Sequence, residues 1–253
     1  MTDRLVQISE DFWNVRGSFK LGGVFDVGTQ TSLVRLRSGD FVLLDAYRLT
    51  GDVERDVLAL TDGGRAVRAI LSLHPFHTLH VRASAAQFPR AQLYGTRRHK
   101  ARAPELRWQA LHTDDAALHE QFAADFALSV PRGVDLVPAS EALHFASVLA
   151  LHKPSGTLHV DDTLSFMDLP LVGGLKFHPT LRFALLKRSG AAAEFRAWAE
   201  ELAVLCEGVN RVCTAHSRAL PPAPSSGSSV AGQVRELLAG ASNMLDSHAR
   251  RYG

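Results

Sequence analysis

Three histidines recur at intervals of three residues in the segment LSLHPFHTLHV, residues 71–81. They are His74, His77 and His80, and the apolar stretch AVRAIL precedes them. Imidazole nitrogens are common ligands of zinc and of similar divalent ions. A cluster at the end of a hydrophobic strand therefore favours a metal site. The alternative is a chance grouping, because the chain contains twelve histidines.

Further candidate ligands stand at the predicted ends of later strands. His144 opens the strand predicted in ALHFASVLAL. Asp161 and Asp162 end the strand in LHVDDTL, and His216 ends the strand in RVCTAH. In layered α/β folds, strand ends at one edge of the sheet form the site. Several imidazoles and a carboxylate that converge there have the composition of a site for zinc or a similar ion.

The first half of the chain must position the three-histidine segment, and its pattern alternates between strand and helix. Short apolar runs predict strands in the first third, including a hairpin that turns at 38–40. GDVERDVLALTDGG then predicts a helix, AVRAILSL a strand and VRASAAQF a helix that Pro89 breaks, and AQLYG predicts another strand. This order predicts a layered α/β architecture.

The second half carries the other candidate ligands. Residues 112–135 are predicted to be helical, and two strands are predicted around the turn KPSG. LPLVGGLKFHP, residues 169–179, is interpreted as a mobile loop over the site. AAAEFRAWAEELAVLCEG is the clearest amphipathic helix. The tract 221–229 is flexible by composition, and Ser229 is expected to cap a last helix.

Length and composition restrict the class of protein. With 253 residues, 46% apolar residues and a net charge of +2, the chain has an ordinary globular balance. We expect no nucleic-acid partner and no membrane association. Two cysteines make no disulfide framework, and no signal-peptide or membrane-spanning run is seen, so a cytoplasmic location is expected.

Two segments carry a family resemblance: AVRAILSLHPFHTLHVRASAAQFPRAQLYG, and EALHFASVLALHKPSGTLHVDDTL with the closing RVCTAHSRAL. The chain resembles the metallo-β-lactamase fold superfamily over roughly residues 14–220. The signature of that family is HxHxDH after a strand, then a later His, an Asp in a segment such as GDTL, and a final His. The resemblance implies an α/β fold, an αββα four-layer sandwich of two mixed β-sheets flanked by helices. It also implies a domain at 1–220, followed by a linker at 221–229 and a C-terminal helix at 230–253.

The resemblance also implies a ligand set. His74 and His77 take the places of the middle and last His of HxHxDH. His144 matches the second-segment His, Asp162 the bridging Asp and His216 the closing His. The implied cofactor is zinc, one or two ions, with iron or manganese as alternatives, or no metal if the site is degenerate.

The sequence departs from the family motif at two positions. Ser72 stands where the first His is expected, and Phe76 stands where the Asp is expected, so a two-metal mechanism is in doubt. In a stretched version of the motif, His80 would act as the last ligand. The other histidines are interpreted as ordinary core or surface residues, and His152 and His159 are expected to face outward beside the KPSG turn.

The resemblance implies a metal-dependent hydrolase, in which metal-activated water attacks an ester, amide or phosphoester of an unidentified small-molecule substrate. Asp162 would be the catalytic carboxylate, as a ligand or as the hydrogen-bond partner of the water. The alternative is a non-catalytic, degenerate member that acts as a binding or scaffold protein. An iron-dependent oxidoreductase is less favoured, because the ligand set is rich in His and poor in carboxylates. The sequence leaves open whether the last helix packs on its own domain or on a second copy in a homodimer.

Overall fold

The computed structural model describes residues 3–21, 25–167, 174–216, 220, 221, 223 and 229–253. The strands, in chain order, are β1 (Arg4–Ser9), β2 (Phe12–Gly17), β3 (Lys20–Leu21), β4 (Phe25–Asp26), β5 (Thr29–Arg35), β6 (Phe41–Leu44), β7 (Val67–Ser72), β8 (Gln92–Gly95), β9 (Phe126–Ser129), β10 (Leu149–His152), β11 (Thr157–Val160), β12 (Leu164–Met167), β13 (Gly174–Phe177) and β14 (Arg211–Thr214). The helices are α1 (Gly51–Leu60), α2 (Val81–Gln87), α3 (Arg97–Arg102), α4 (Ala116–Gln121), α5 (Leu181–Ala184), α6 (Ala191–Leu205) and α7 (Val230–Tyr252), with a 3₁₀ turn at Cys206–Gly208.

The first sheet has the strand order β1-β2-β5-β6-β7-β8. Neighbouring strands are antiparallel from β1 to β6 and parallel from β6 to β8. Successive side chains of a strand point to opposite faces. On β6, Phe41 and Leu43 therefore pack in one core cluster with residues of α1 and α2, while Val42 and Leu44 pack in another. Burial on both faces explains why this strand is apolar throughout.

The second sheet has the order β14-β11-β10-β9, with β11 and β14 parallel and the other pairs antiparallel. Leu149 of β10 and Leu158 of β11 belong to the same core as the inner face of the first sheet. Phe195 and Trp198 of α6 also belong to it. The layers therefore run helix, sheet, sheet, helix, which confirms the predicted four-layer αββα sandwich.

Most elements of the first half form where the sequence predicts them. The hairpin turn at 38–40, α1, β7, α2 and β8 are confirmed, as are the two strands around the KPSG turn. The predicted helix at 112–135 is only partly right, because α4 ends at Gln121 and β9 follows it. The FALS segment pairs with β10, and this long-range pairing overrides the local helical pattern.

Two other local predictions differ from the structure. His144 does not open a strand, because β10 begins only at Leu149. The intervening segment instead runs beside the three-histidine loop, where the N–H of Val148 donates to the carbonyl of Leu73 at 3.1 Å. Of the predicted mobile loop, residues 169–173 lie outside the described residues, and the rest contains β13, which pairs with β12.

The C-terminal helix α7 packs on the core of its own chain. Ser229 caps it as predicted, since its Oγ accepts the N–H of Gly232 at 3.1 Å. Val234, Leu238 and Leu245 are buried in the same core as α6. Most of the predicted linker at 221–229 lies outside the described residues, so the proposed domain division stays a prediction.

Among the residues that the structure describes, no helix combines the length and the apolar character that a bilayer crossing requires.

Candidate metal centre

One carboxylate, that of Asp162, lies within 4 Å of four imidazole rings. Its Oδ2 atom is 3.2 Å from Nε2 of His74, 3.9 Å from Nε2 of His77 and 3.7 Å from Nδ1 of His144. Its Oδ1 atom is 3.2 Å from Nε2 of His216. These atoms form two overlapping groups that could each hold an ion, and Asp162 belongs to both. The structure thus brings together five of the six side chains predicted as ligands.

The loop that carries His74 is fixed by Asp45, the residue that follows β6. Its Oδ1 atom accepts the backbone N–H of Leu73 at 2.8 Å and that of His74 at 3.4 Å. Asp45 has a φ angle of 63°, a left-handed conformation that Asp adopts more readily than most residues. The conformation lets the chain turn sharply at the end of a buried strand.

The segment that follows His144 is held by Thr163, one residue after the central carboxylate. Thr163 Oγ1 accepts the N–H of Ser147 at 2.9 Å and donates to the carbonyl of Phe145 at 3.0 Å. The backbone after His144 is therefore tied to the segment that carries Asp162. This explains how His144, outside any strand, reaches the group.

His216 has the geometry of a metal ligand. Its Nδ1 lies 3.1 Å from the carbonyl of Gly28, which can only accept, so Nδ1 donates a proton there and the lone pair of the neutral ring lies on Nε2. That lone pair faces Oδ1 of Asp162 at 3.2 Å, so two acceptors oppose each other. Such a pair needs a cation or a proton between its members. The φ of His216 is 50°, a strained conformation of the kind that clusters at functional sites.

Burial shifts the pKa values of three side chains around Asp162 and so affects their protonation states. It lowers the pKa of His74 to about 3 and that of His77 well below its usual value. It also raises the pKa of Asp162 to about 6, which the neighbouring His216 opposes. At neutral pH, His74 and His77 are therefore neutral, and Asp162 is largely ionised. These are the protonation states in which imidazole and carboxylate bind a divalent cation.

Beneath this group lies a second layer of buried polar residues. Asp45 Oδ2 is 3.1 Å from Nε2 of His159, whose Nδ1 is 2.9 Å from Oγ of Ser32. Asp161 Oδ1 accepts from Nε2 of Gln30 at 3.4 Å. Burial raises the pKa of Asp45, and burial together with Asp45 raises the pKa of Asp161 well above its usual value. The layer joins the two sheets through side-chain hydrogen bonds.

Comparison with solved structures identifies the architecture. A metallo-β-lactamase from Erythrobacter litoralis aligns over 97% of this chain and 96% of its own, with a TM-score of 0.62 and 15% identity. One from Pontibacter korlensis aligns over 97% and 99%, with a TM-score of 0.55 and 14% identity. A mono-zinc metallo-β-lactamase from Pseudomonas aeruginosa aligns over 98% and 97%, with a TM-score of 0.57 and 10% identity.

The chain has the metallo-β-lactamase fold. No profile of a known protein family matches the sequence, and a search of curated proteins found no match. The likeness is therefore one of structure, and it extends over nearly the whole chain.

Two positions of the metallo-β-lactamase motif carry other residues here, and the structure shows what they do. Ser72 is buried at the end of β7, and its carbonyl accepts from Oγ1 of Thr113 at 3.1 Å. The ring of Phe76 lies 4.7 Å from that of His144, and the guanidinium of Arg98 lies 4.4 Å from the centre of the Phe76 ring. Phe76 has no ligand atom, and Ser72 has a hydroxyl in place of the imidazole of the motif, so the donor set differs from that of the family motif at both positions.

His80 lies apart from the Asp162 group. It precedes α2, and its ring packs 4.8 Å from that of Tyr47. It belongs to none of the clusters of candidate ligands found among the described residues. The geometry therefore gives no support to His80 as a ligand, and this assignment stays a prediction.

Sequence reasoning assigned no role to Asp45 and His159, and it named Asp161 only as a carboxylate at a strand end. The carboxylates of Asp45 and Asp161 both follow buried strands, and this position in the sequence could have indicated that they lie near the site. His159 was expected to face outward, but it is completely buried. Both faces of β11 are covered by other layers, so its alternating pattern does not mark a solvent face. His152, expected to face outward as well, is equally buried.

The donor set fits a divalent ion of the zinc type, with one exception in its hydrogen bonding. The buried Nε2 of His77 has no hydrogen-bond partner among the described residues, and Nε2 of His216 faces a carboxylate. The exception is His74. Its Nδ1 accepts the N–H of Phe76 at 3.2 Å, and its Nε2 donates to the carbonyl of His144 at 3.0 Å. Ligation through Nε2 therefore requires the ring proton to move to Nδ1, which breaks both hydrogen bonds.

Proposed function

We propose that the protein is a metal-dependent hydrolase that acts on a small molecule through an ester, amide or phosphoester bond. One group of ligands is His74, His144 and Asp162, and the other is His77, Asp162 and His216. Zinc is the ion that this mixture of imidazole and carboxylate suits best, and iron or manganese are alternatives. A cytoplasmic location belongs to the same proposal.

The observation that carries the proposal is the position of Asp162. It is 3% exposed, and it faces His74 and His216 at 3.2 Å through different oxygens. A bound cation would stabilise the charge of this buried carboxylate, which desolvation otherwise disfavours. The neighbours named as metallo-β-lactamases support the same reaction class at the level of the fold.

Different parts of the site would have different roles in hydrolysis. A bound divalent ion would polarise a carbonyl or phosphoryl oxygen and lower the pKa of a water ligand. Asp162 would orient that water by accepting its hydrogen bond. A cavity of about 190 Å³ beside His77 and His216, lined also by Phe19 and Phe76, would receive the group under attack.

The test measures the metal content of the protein and its hydrolytic activity. We expect purified protein to bind one or two equivalents of zinc, and His144→Ala and His216→Ala each to lose metal. The matched control is His112→Ala, which removes a part-buried histidine outside the candidate groups. Chromogenic esters, phosphodiesters and β-lactams then test the reaction class. If wild-type protein takes up no added zinc, iron or manganese, the hydrolase proposal is wrong.

A non-catalytic binding or scaffold protein is the second candidate, and one observation favours it. Phe76 replaces the motif carboxylate, and its ring packs against His144 with Arg98 close by. This arrangement places an apolar group and a positive charge beside a candidate ligand. Failure to bind metal in the experiment above, with a folded protein, would favour this candidate.

A further inference from the structure

A second cavity, of about 880 Å³, lies between α5 and the last turns of α7, and none of the candidate metal ligands lines it. Its volume is in the range of pockets that bind small molecules. Three cationic side chains line it, those of Arg182, Lys187 and Arg251. Among the described residues, no carboxylate lines it. The cavity therefore has a positive charge that its own walls do not neutralise.

The carboxylates of the neighbouring segments are engaged elsewhere. Glu141 forms ion pairs with Arg98 and Arg102. Asp246, on α7, forms an ion pair with Arg196 at 2.7 Å. Within the described ranges, none of the three cations of the cavity has an ion-pair partner. An anionic ligand would therefore meet cations that do not have to break an existing ion pair.

Apolar and aromatic surface lies directly beside these charges. The guanidinium carbon of Arg182 is 4.3 Å from the centre of the Phe183 ring, and that of Arg251 is 5.3 Å from the centre of the Tyr252 ring. Phe183 is 56% exposed, although it is a large apolar side chain, and Met244 also lines the cavity. Guanidinium groups that stack on aromatic rings are restricted in direction. The walls therefore suit a ligand that joins an apolar group to an anion.

The number of donors favours phosphate over carboxylate. A phosphate monoester carries about 1.5 to 2 negative charges at neutral pH and three strong acceptor oxygens, and guanidinium groups bind it through paired hydrogen bonds. The hydroxyls of Ser140, Thr180 and Ser247 add neutral donors to the three cations. A carboxylate has one charge and two oxygens, so it would leave part of this donor set unused.

We propose that the cavity between α5 and α7 binds an organic phosphate, in which a phosphate monoester carries an apolar or aromatic group. The cations would hold the phosphate, and the surface of Phe183, Met244 and Tyr252 would contact the organic group. The site is separate from the Asp162 group, and the inference does not depend on the proposed hydrolase activity.

The test is calorimetric titration of the full-length protein with phenyl phosphate. We expect a dissociation constant below about 1 mM, and binding of inorganic phosphate about tenfold weaker, because it lacks the ring. Arg251→Ala and Lys187→Ala should each weaken the binding of phenyl phosphate about tenfold. The matched control is Arg250→Ala, which removes the same charge from the next residue of α7, outside the lining of the cavity. It should bind as wild type does.

Phosphate also binds zinc, so the titration is repeated with His216→Ala. Unchanged affinity in that variant supports the cavity, whereas loss there and not in Arg251→Ala would place the ligand at the metal centre and overturn the inference. Equal weakening in Arg250→Ala and Arg251→Ala would show non-specific attraction and overturn it as well. So would benzoate that binds as tightly as phenyl phosphate, or no binding by wild type. Thermal melts verify that each variant is folded, and absence of metal or of hydrolysis would contradict the proposed function alone.

Discussion

The carboxylate of Asp45 and the backbone of Leu73 are joined by a hydrogen bond of 2.8 Å, although each belongs to the end of a different strand. The bond fixes the start of the loop that carries His74. It also makes Asp45 necessary for the fold.

We predict that Asp45→Ala lowers the free energy of unfolding by about 3 kcal/mol in metal-free protein, because two buried backbone N–H groups lose their acceptor. Urea denaturation in the presence of a chelator measures this. The control is Asp114→Ala, at an exposed position, which should leave stability almost unchanged. Equal stability of the two variants would contradict the role of Asp45 in holding the loop.

The burial of α7 predicts that this helix is needed for stability. Leu245 is completely buried in the main core, so Leu245→Asp should cost at least about 3 kcal/mol, through lost packing and a buried charge. Asn243→Asp introduces the same charge at an exposed position of the same helix and is the matched control. Thermal melts of both variants test the prediction. Similar melting temperatures would mean that α7 is a dispensable appendage.

The burial of His152 predicts that the folded protein loses stability in acid. Its ring is buried near Phe12 and Phe126, and burial lowers its pKa to about 4. The unfolded chain takes up this proton near the ordinary pKa of about 6.5, so the unfolded state binds more protons between the two values. The contribution of His152 to stability is therefore complete above pH 6.5 and is lost as the pH falls toward 4.

Replacement of His152 by Phe should flatten this part of the stability profile, measured by urea denaturation at intervals of pH. Ser155→Ala is the control, because it removes the hydrogen-bond partner of Nδ1 but keeps the buried imidazole. Its slope should match that of wild type. An unchanged slope in His152→Phe would show that other groups cause the acid sensitivity.

A substitution at Phe76 can restore one of the two motif positions at which this sequence departs from the family. Phe76→Asp places a carboxylate beside His144 and should tighten zinc binding about tenfold, which corresponds to about 1.4 kcal/mol. Phe76→Asn has a similar size without the charge and should not reproduce the gain. Competition with a chromogenic chelator measures both affinities. Weaker binding in Phe76→Asp than in Phe76→Asn would show that the carboxylate does not reach the ion.

The sequence predicts those features that depend on local pattern. The apolar run before His74 defines β7 and its end, and the apolar run before Asp162 does the same for β11. His74, His77, His144, Asp162 and His216 converge as expected, and their role as ligands stays a prediction.

Features that depend on contacts between distant segments could not be predicted from the local pattern of residues. β9 forms because Phe126–Ser129 finds a partner in β10, and its own residues carry a weak strand signal. The second layer of buried polar residues, with Asp45, Asp161 and His159, was not predicted because the burial of Asp161 depends on the docking of two sheets. The inward direction of His159 has the same cause, since β11 has no solvent face.

The contact between Asp45 and His159 joins residues 114 positions apart in the chain, one from each sheet. The candidate ligands come from both sheets in the same way, so neither half of the chain can assemble the site alone. Cation binding must then follow the docking of the sheets during folding, and a bound ion would slow the separation of the two halves. Metal-free protein should therefore unfold faster, even where its fold is unchanged.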